Sequence, residues 1–110
     1  MGCNYGSMDP SMTEPEQCKS MTDVRAAIDA LDHDIVQLLA KRLRYVDAAA
    51  RIKQRRDQVR DDERVAAVID RVHSTASAAG APAELIARVY RNLIEGCIAY
   101  ELDKFDTSSD

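Results

Sequence analysis

Arg25, Arg42 and Lys53 follow one another at intervals of seventeen and eleven residues along a single unbroken helical pattern. Arg42 stands between Leu38 and Tyr45, where that pattern asks for a hydrophobe. A guanidinium drawn into an apolar seam is costly unless it meets an anion. Two explanations fit: a structural ion pair with an acid on another helix, or a site for an anionic ligand. On a straight helix Arg42 and Lys53 lie about 16 Å apart along the axis, Arg25 about 25 Å from Arg42, and Arg25 about 42 Å from Lys53. No small ligand touches Arg25 and Lys53 of one chain, but two long side chains can narrow the Arg42 to Lys53 gap. Arg25 and Lys53 are four heptads apart and face the same side, so an Arg25 from an antiparallel partner helix would complete a site shared between chains. Glu101 falls on an apolar stripe with Ile94, Ile98 and Phe105. It is either an exposed stripe edge or a buried carboxyl, and burial favours the neutral form, a hydrogen-bond donor near neutral pH.

Other candidates are weaker. Arg55, Arg56 and Arg60 flank the loop after the first helix and read as solvated. His33 and His73 read as surface residues, with no Ser or Cys nearby in a nucleophilic motif. Cys3, Cys18 and Cys97 are odd in number, widely spaced and without a Cys-x-x-Cys pair, which encodes neither a disulfide framework nor a zinc site. No metal is expected, and a reducing cytoplasm is the default location.

Three helices must position these residues. From Thr22 to about Lys53 the apolar residues Val24, Ile28, Leu31, Ile35, Leu38, Tyr45, Ala49 and Ile52 alternate at three and four, a coiled-coil-like seam without Gly or Pro. Thr22 is the expected cap, with Asp23 in the first turn. Such a helix extends roughly 48 Å, whereas a compact domain of this size has a radius of gyration of about 13 Å. It overhangs any monomer the chain can build, which predicts an obligate dimer of intertwined long helices. Asp61, Asp62 and Glu63 start a second helix through Val65, Val68, Ile69, Val72, Ala76 and Ala79, ending at Gly80. Pro82 opens a third, apolar at Leu85, Ile86, Val89, Tyr90, Leu93, Ile94, Cys97, Ile98, Leu102 and Phe105. No stretch alternates with period two, so no strand is expected.

The chain has 110 residues, room for one domain, with 45% hydrophobic, 31% charged and 5% aromatic residues and no Trp. A net charge of −4 excludes a dedicated nucleic-acid binder, yet leaves acidic small molecules open if cations gather locally. No apolar run is long enough to span a membrane or to form the core of a signal peptide. Residues 1–12 read as a leader outside the domain, with Met8 and Met12 as candidate native starts after Gly6-Ser7, which resembles an expression-tag junction. Gly6 stands where a myristoylation motif wants Ser or Thr. The domain is expected over 13–105, with 106–110 as a fraying tail.

The run Val24-Arg25-Ala26-Ala27-Ile28-Asp29-Ala30-Leu31-Asp32, then Leu38-Leu39-Ala40-Lys41-Arg42, Lys53, Asp61 and Arg64, resembles the all-helical chorismate mutase family over about residues 15–105. Pro15-Glu16-Gln17-Cys18 and Arg44-Tyr45-Val46 resemble most closely the branch that contains isochorismate-pyruvate lyase. The resemblance implies an all-α, domain-swapped homodimer of three-helix chains with two equivalent shared sites for a small dicarboxylate. By position, Arg25 from the partner chain and Arg42 would hold the two carboxylates, as planar donor forks do well. Lys53 would donate to the enol-ether oxygen and a carboxylate. Arg64 matches a basic residue at the start of the second helix, and Asp61, Val46 and Ile98 complete the implied substrate contacts.

The implied reaction is the pericyclic conversion of chorismate to prephenate, which needs no nucleophile, metal or cofactor. Catalysis then consists of holding a compact conformer and stabilising negative charge on the breaking ether oxygen. Lys53, Glu101 and Arg42 are the expected catalytic groups. Glu101 stands where many members have Gln, and only a protonated carboxyl donates as the amide does, so activity is expected to fall as pH rises. Val65 stands where well-known mutases carry a Glu that binds the substrate hydroxyl, an acid the lyase branch also lacks. That favours the alternative of splitting isochorismate into salicylate and pyruvate. A further alternative is a non-catalytic helical dimer that binds a small dicarboxylate without turnover.

Overall fold

The computed structural model describes residues 13–108. It contains α1 (Met21–Ile52), α2 (Asp62–Ala78) and α3 (Ala83–Ser108), with short 3-10 turns at Pro15–Gln17 and Arg56–Gln58. The expected all-helical chain of three helices with a long first one is what forms, and no strand occurs among the described residues. The expectations for the leader 1–12, including the candidate starts Met8 and Met12, and for Ser109 and Asp110 lie outside the described residues.

Ser20, not the expected Thr22, caps α1. Its Oγ accepts from the Asp23 N–H at 3.1 Å, while the Asp23 carboxylate accepts from the Lys19 N–H at 3.0 Å. These reciprocal bonds satisfy donors that the helical ladder leaves open. Ser and Thr cap about equally well, so residue type did not choose between two neighbouring candidates.

The chain divides between Arg42 and Leu43 into two units. In the first, no described residue is buried, and Ile28, Leu31, Ile35 and Leu38 of the expected seam are exposed. In the second, α2 packs along α3. Val59, Ile94 and Ile98 form its core, and Val65, Val68, Ile69, Tyr90, Leu102 and Phe105 pack against them. The seam was expected to continue through Tyr45, Ala49 and Ile52, but Tyr45 and Ile52 are each 69% exposed. Ala49 of the expected seam is half-buried, and so are Leu43 and Val46, which with the buried Ala50 form a second row at the same three-four spacing. A helix apolar on two rows satisfies either register, and only packing shows which one the chain uses internally.

The α2–α3 corner follows from Gly80, whose φ of 78° is accessible to glycine at little cost. The Gly80 N–H donates to Ser77 O at 3.1 Å and the Ala81 N–H to Ala76 O at 2.9 Å, the paired bonds of a Schellman stop. At the far end α3 continues three residues beyond the expected limit at Phe105. Arg56 Nε donates to Asp106 Oδ1 at 3.0 Å, and the Thr107 and Ser108 hydroxyls donate to the carbonyls of Asp103 and Lys104, so this segment is helical rather than a frayed tail. Arg60 makes a two-pronged pair with Glu95 at 2.6 and 3.1 Å. Arg55, Arg56 and Arg60 are thus exposed as expected, yet each engages a carboxylate. The hydrogen bond from Arg60 holds the Glu95 carboxyl below the usual carboxylate range. The pair's contribution is therefore present above that usual range and is lost as pH falls through the lowered value.

Candidate functional site

Lys53 lies just past the last residue of α1, where its N–H still donates to Ala49 O at 2.9 Å. Its backbone is thus held in the helical ladder. The chain then turns away because the Gln58 side chain accepts from the N–H groups of Gln54 and Arg55 at 2.9 and 3.0 Å. From this position Lys53 Nζ donates to Glu101 Oε2 at 2.8 Å.

Glu101 is buried, at 7% exposure, next to Ile98 and Leu102 on α3. This selects the buried alternative over the exposed stripe edge. A carboxylate at such a position requires a partner, and Lys53, which keeps 29% of its side chain exposed, supplies one while remaining accessible from outside. The two groups form an ammonium-carboxylate pair at the edge of an apolar core. Ile98 belongs to that core, and Val46 on α1 is half-buried.

Asp61 caps α2, its Oδ1 accepting from the Arg64 N–H at 3.1 Å. Arg64 itself is exposed in the first turn of α2. The cap and any ligand contact of Asp61 can be separated experimentally. Asp61→Ala is expected to lower stability to urea by about 1 kcal/mol, whereas Asp61→Asn, still a good cap, stays near the parent. A stability loss from Asp61→Asn as large as from Asp61→Ala would mean that the charge, not the cap, matters.

Arg25 and Arg42 belong to the first unit and the other candidates to the second. Arg25 is exposed and Arg42 half-buried. Within the second unit the structure pairs Lys53 with Glu101 and leaves Asp61 and Arg64 joined to each other at the α2 start.

Sequence reasoning missed a second polar contact beside this pair. The Tyr100 hydroxyl donates to Asp47 Oδ1 at 2.8 Å, and Lys104 Nζ lies 3.8 Å from the same oxygen and 5.7 Å from the centre of the Tyr100 ring. The hydrogen bond to Asp47 pushes the Tyr100 phenol above its ordinary value. The available signal was positional: Asp47, Ala50 and Lys53 follow at intervals of three along α1 and just past its end. Among the described residues no cluster of His, Cys, Asp or Glu is suited to hold a metal ion, and no helix is long and apolar enough to cross a membrane.

Comparison with known proteins matches residues 24–102 to the family described as chorismate mutase type II. The isochorismate pyruvate lyase of Pseudomonas aeruginosa is 36% identical over 91 residues, covering 83% of this chain and 90% of that protein. The T-protein of Haemophilus influenzae is 32% identical over 84 residues, which is 76% of this chain but 22% of that larger protein.

Proposed function

The chain belongs to the chorismate mutase type II family, and from that membership we propose that it rearranges chorismate to prephenate in a site shared between two copies. The observation that carries the reading is the Lys53–Glu101 pair, two complementary polar groups held 2.8 Å apart at the edge of an apolar core. An enol-ether oxygen entering there meets an ammonium donor in surroundings of reduced dielectric, where stabilisation of developing negative charge is strongest. Lys53 turns from Glu101 to the ether oxygen and an adjacent carboxylate, and Glu101, held beside Lys53, completes the polar end of the site. Arg42 and the partner copy's Arg25 clamp the two carboxylates and fix the compact conformer. The ring C–O bond breaks as the new C–C bond forms, with no group transferred to the protein. Arg64, Asp61, Val46 and Ile98 complete the proposed substrate contacts.

The dimer is part of this proposal. Ile28, Leu31, Ile35 and Leu38 are exposed in the single chain, and covering such half-exposed side chains gains about 1 kcal/mol each. A second copy offering the same stripe covers them reciprocally. A cytoplasmic location completes the reading.

A second reading, lyase activity on isochorismate, is favoured by the 36% identity to the Pseudomonas aeruginosa lyase over 90% of its length and by Val65 in place of an acid. In that reaction the same C–O bond breaks while a ring hydrogen moves to the enolpyruvyl methylene carbon, giving salicylate and pyruvate. Both reactions use the same charges. Offering purified protein the two substrates separately tests the proposal: prephenate from chorismate supports the mutase, and efficient formation of salicylate and pyruvate from isochorismate assigns the lyase. Ligand binding without turnover of either would leave a binding protein on this fold.

Glu101 makes a separate prediction. If it donates to the ether oxygen, Glu101→Gln keeps or raises the rate with chorismate, because an amide N–H is a ready donor, whereas Glu101→Ala lowers it. Equal rates in Glu101→Ala and the parent protein remove Glu101 from the reaction as a donor.

A further inference from the structure

Only one residue of α1, Ala50, is buried. Leu43, Val46, Ala48 and Ala49 are only half-buried around it, so apolar contact at this joint is shallow and the seating of α3 against the end of α1 is fixed by directional contacts. Two such contacts lie on either side of Ala50. Asp47 accepts the Tyr100 hydroxyl at 2.8 Å, and Lys53 donates to Glu101 at 2.8 Å. Asp47 and Lys53 are about 9 Å apart along the α1 axis, whereas Tyr100 and Glu101 follow each other on α3 at a rise of about 1.5 Å. One bond alone leaves α3 free to pivot about it, and two at separate points of α1 do not. Lys104 reinforces the outer contact, facing both the Asp47 carboxylate and the Tyr100 ring.

We propose that Asp47 and Tyr100 are positioning residues, which lock α3 against α1 and thereby hold Glu101 facing Lys53 even when the substrate draws Lys53 away. The inference rests on the reaction proposed above for its catalytic consequence, but not for its structural one. When Lys53 turns to a ligand, its bond to Glu101 is lost, and the Asp47–Tyr100 bond, with Lys104 beside it, remains to keep the Glu101 carboxyl in place. The substrate then meets a carboxyl group already in place rather than one that follows the lysine.

The test uses full-length protein carrying Tyr100→Phe, which removes one hydroxyl and keeps the ring, beside Asp47→Ala and Asp47→Asn. Two readouts are taken: kcat and KM with whichever of chorismate or isochorismate is turned over, and the 15N ammonium signal of Lys53 in ligand-free protein, which the ion pair protects from exchange. Tyr100→Phe and Asp47→Ala are expected to lower kcat about tenfold with KM within about twofold, the scale of a small misplacement, and to broaden or abolish the Lys53 signal. Asp47→Asn, which keeps the accepting oxygen, recovers most of that loss, and combining Asp47→Ala with Tyr100→Phe is no worse than either alone. Arg56→Ala, which removes the exposed Arg56–Asp106 pair elsewhere on α3, lowers stability without moving either readout. A Lys53 signal unchanged in Tyr100→Phe overturns the proposal, as does a lost signal with unchanged kcat or a change confined to KM. If the parent protein turns over neither substrate, the proposed reaction fails, and the Lys53 signal alone decides whether the lock exists.

Discussion

Lys53→Ala is expected to lower kcat/KM by at least about a thousandfold, the upper end for deleting one donor aimed at developing charge. Lys53 is assigned two tasks at once, a bond to the breaking ether oxygen and a bond to a substrate carboxylate, so both rate and binding fall. The same change orphans Glu101, which is 7% exposed. Breaking a fully buried pair costs about 3–5 kcal/mol. Lys53 is 29% exposed and water screens the pair in part, so a stability loss of about 2 kcal/mol is the expectation. An inactive single variant is therefore ambiguous between lost chemistry and lost structure. Lys53→Ala combined with Glu101→Gln resolves it: the neutral amide removes the orphaned charge, so stability to urea recovers toward the parent while turnover does not return. Parent-like kcat/KM in the single variant would remove Lys53 from the mechanism. Recovery of turnover in the double variant would reduce its role to that of a structural counter-ion.

The residues most legible in the sequence were those that contradict their own pattern. Glu101 on an apolar stripe required a partner once buried, and Lys53, placed at the end of the first helix, provides it. The acidic start of α2 and its stop at Gly80 were legible for the same reason, since a helix end leaves few chemical solutions and the chain spells one at each. Ambiguity entered wherever two answers had equal chemistry. Ser20 and Thr22 are both cap-forming residue types, and Leu43, Val46 and Ala50 form as good a row as Tyr45, Ala49 and Ile52. The Asp47–Tyr100 bond was illegible for another reason: an acid on a helix rich in acids and a tyrosine among apolar residues each look ordinary alone. Their meaning lies in a juxtaposition of residues 53 apart in sequence, which no local pattern carries.

The exposed stripe of α1 carries the other large expected effect. Ile35, 51% exposed at the centre of Ile28, Leu31, Ile35 and Leu38, faces solvent in the single chain, so Ile35→Asp costs an isolated monomer little. In a dimer built on that stripe it buries a charge, a cost of several kcal/mol that falls on both copies. Sedimentation is expected to find the parent dimeric and Ile35→Asp monomeric, with turnover lost because each site lacks the partner's arginine. Equal turnover by a monomeric variant would end the shared-site model. Mixing two inactive variants tests that model more sharply. Arg25→Ala and Lys53→Ala chains are unfolded and refolded together, so that about half the dimers are mixed. In a mixed dimer, sites that combine Arg25 of one chain with Lys53 of the other comprise one doubly defective site and one intact one. Activity should therefore return to about a quarter of the parent value. If Arg25 and Lys53 of the same chain served one site, every site in the mixed dimer would carry one lesion, and no activity would return. A complementation near a quarter is a signature that neither lost stability nor a nonspecific charge effect can imitate.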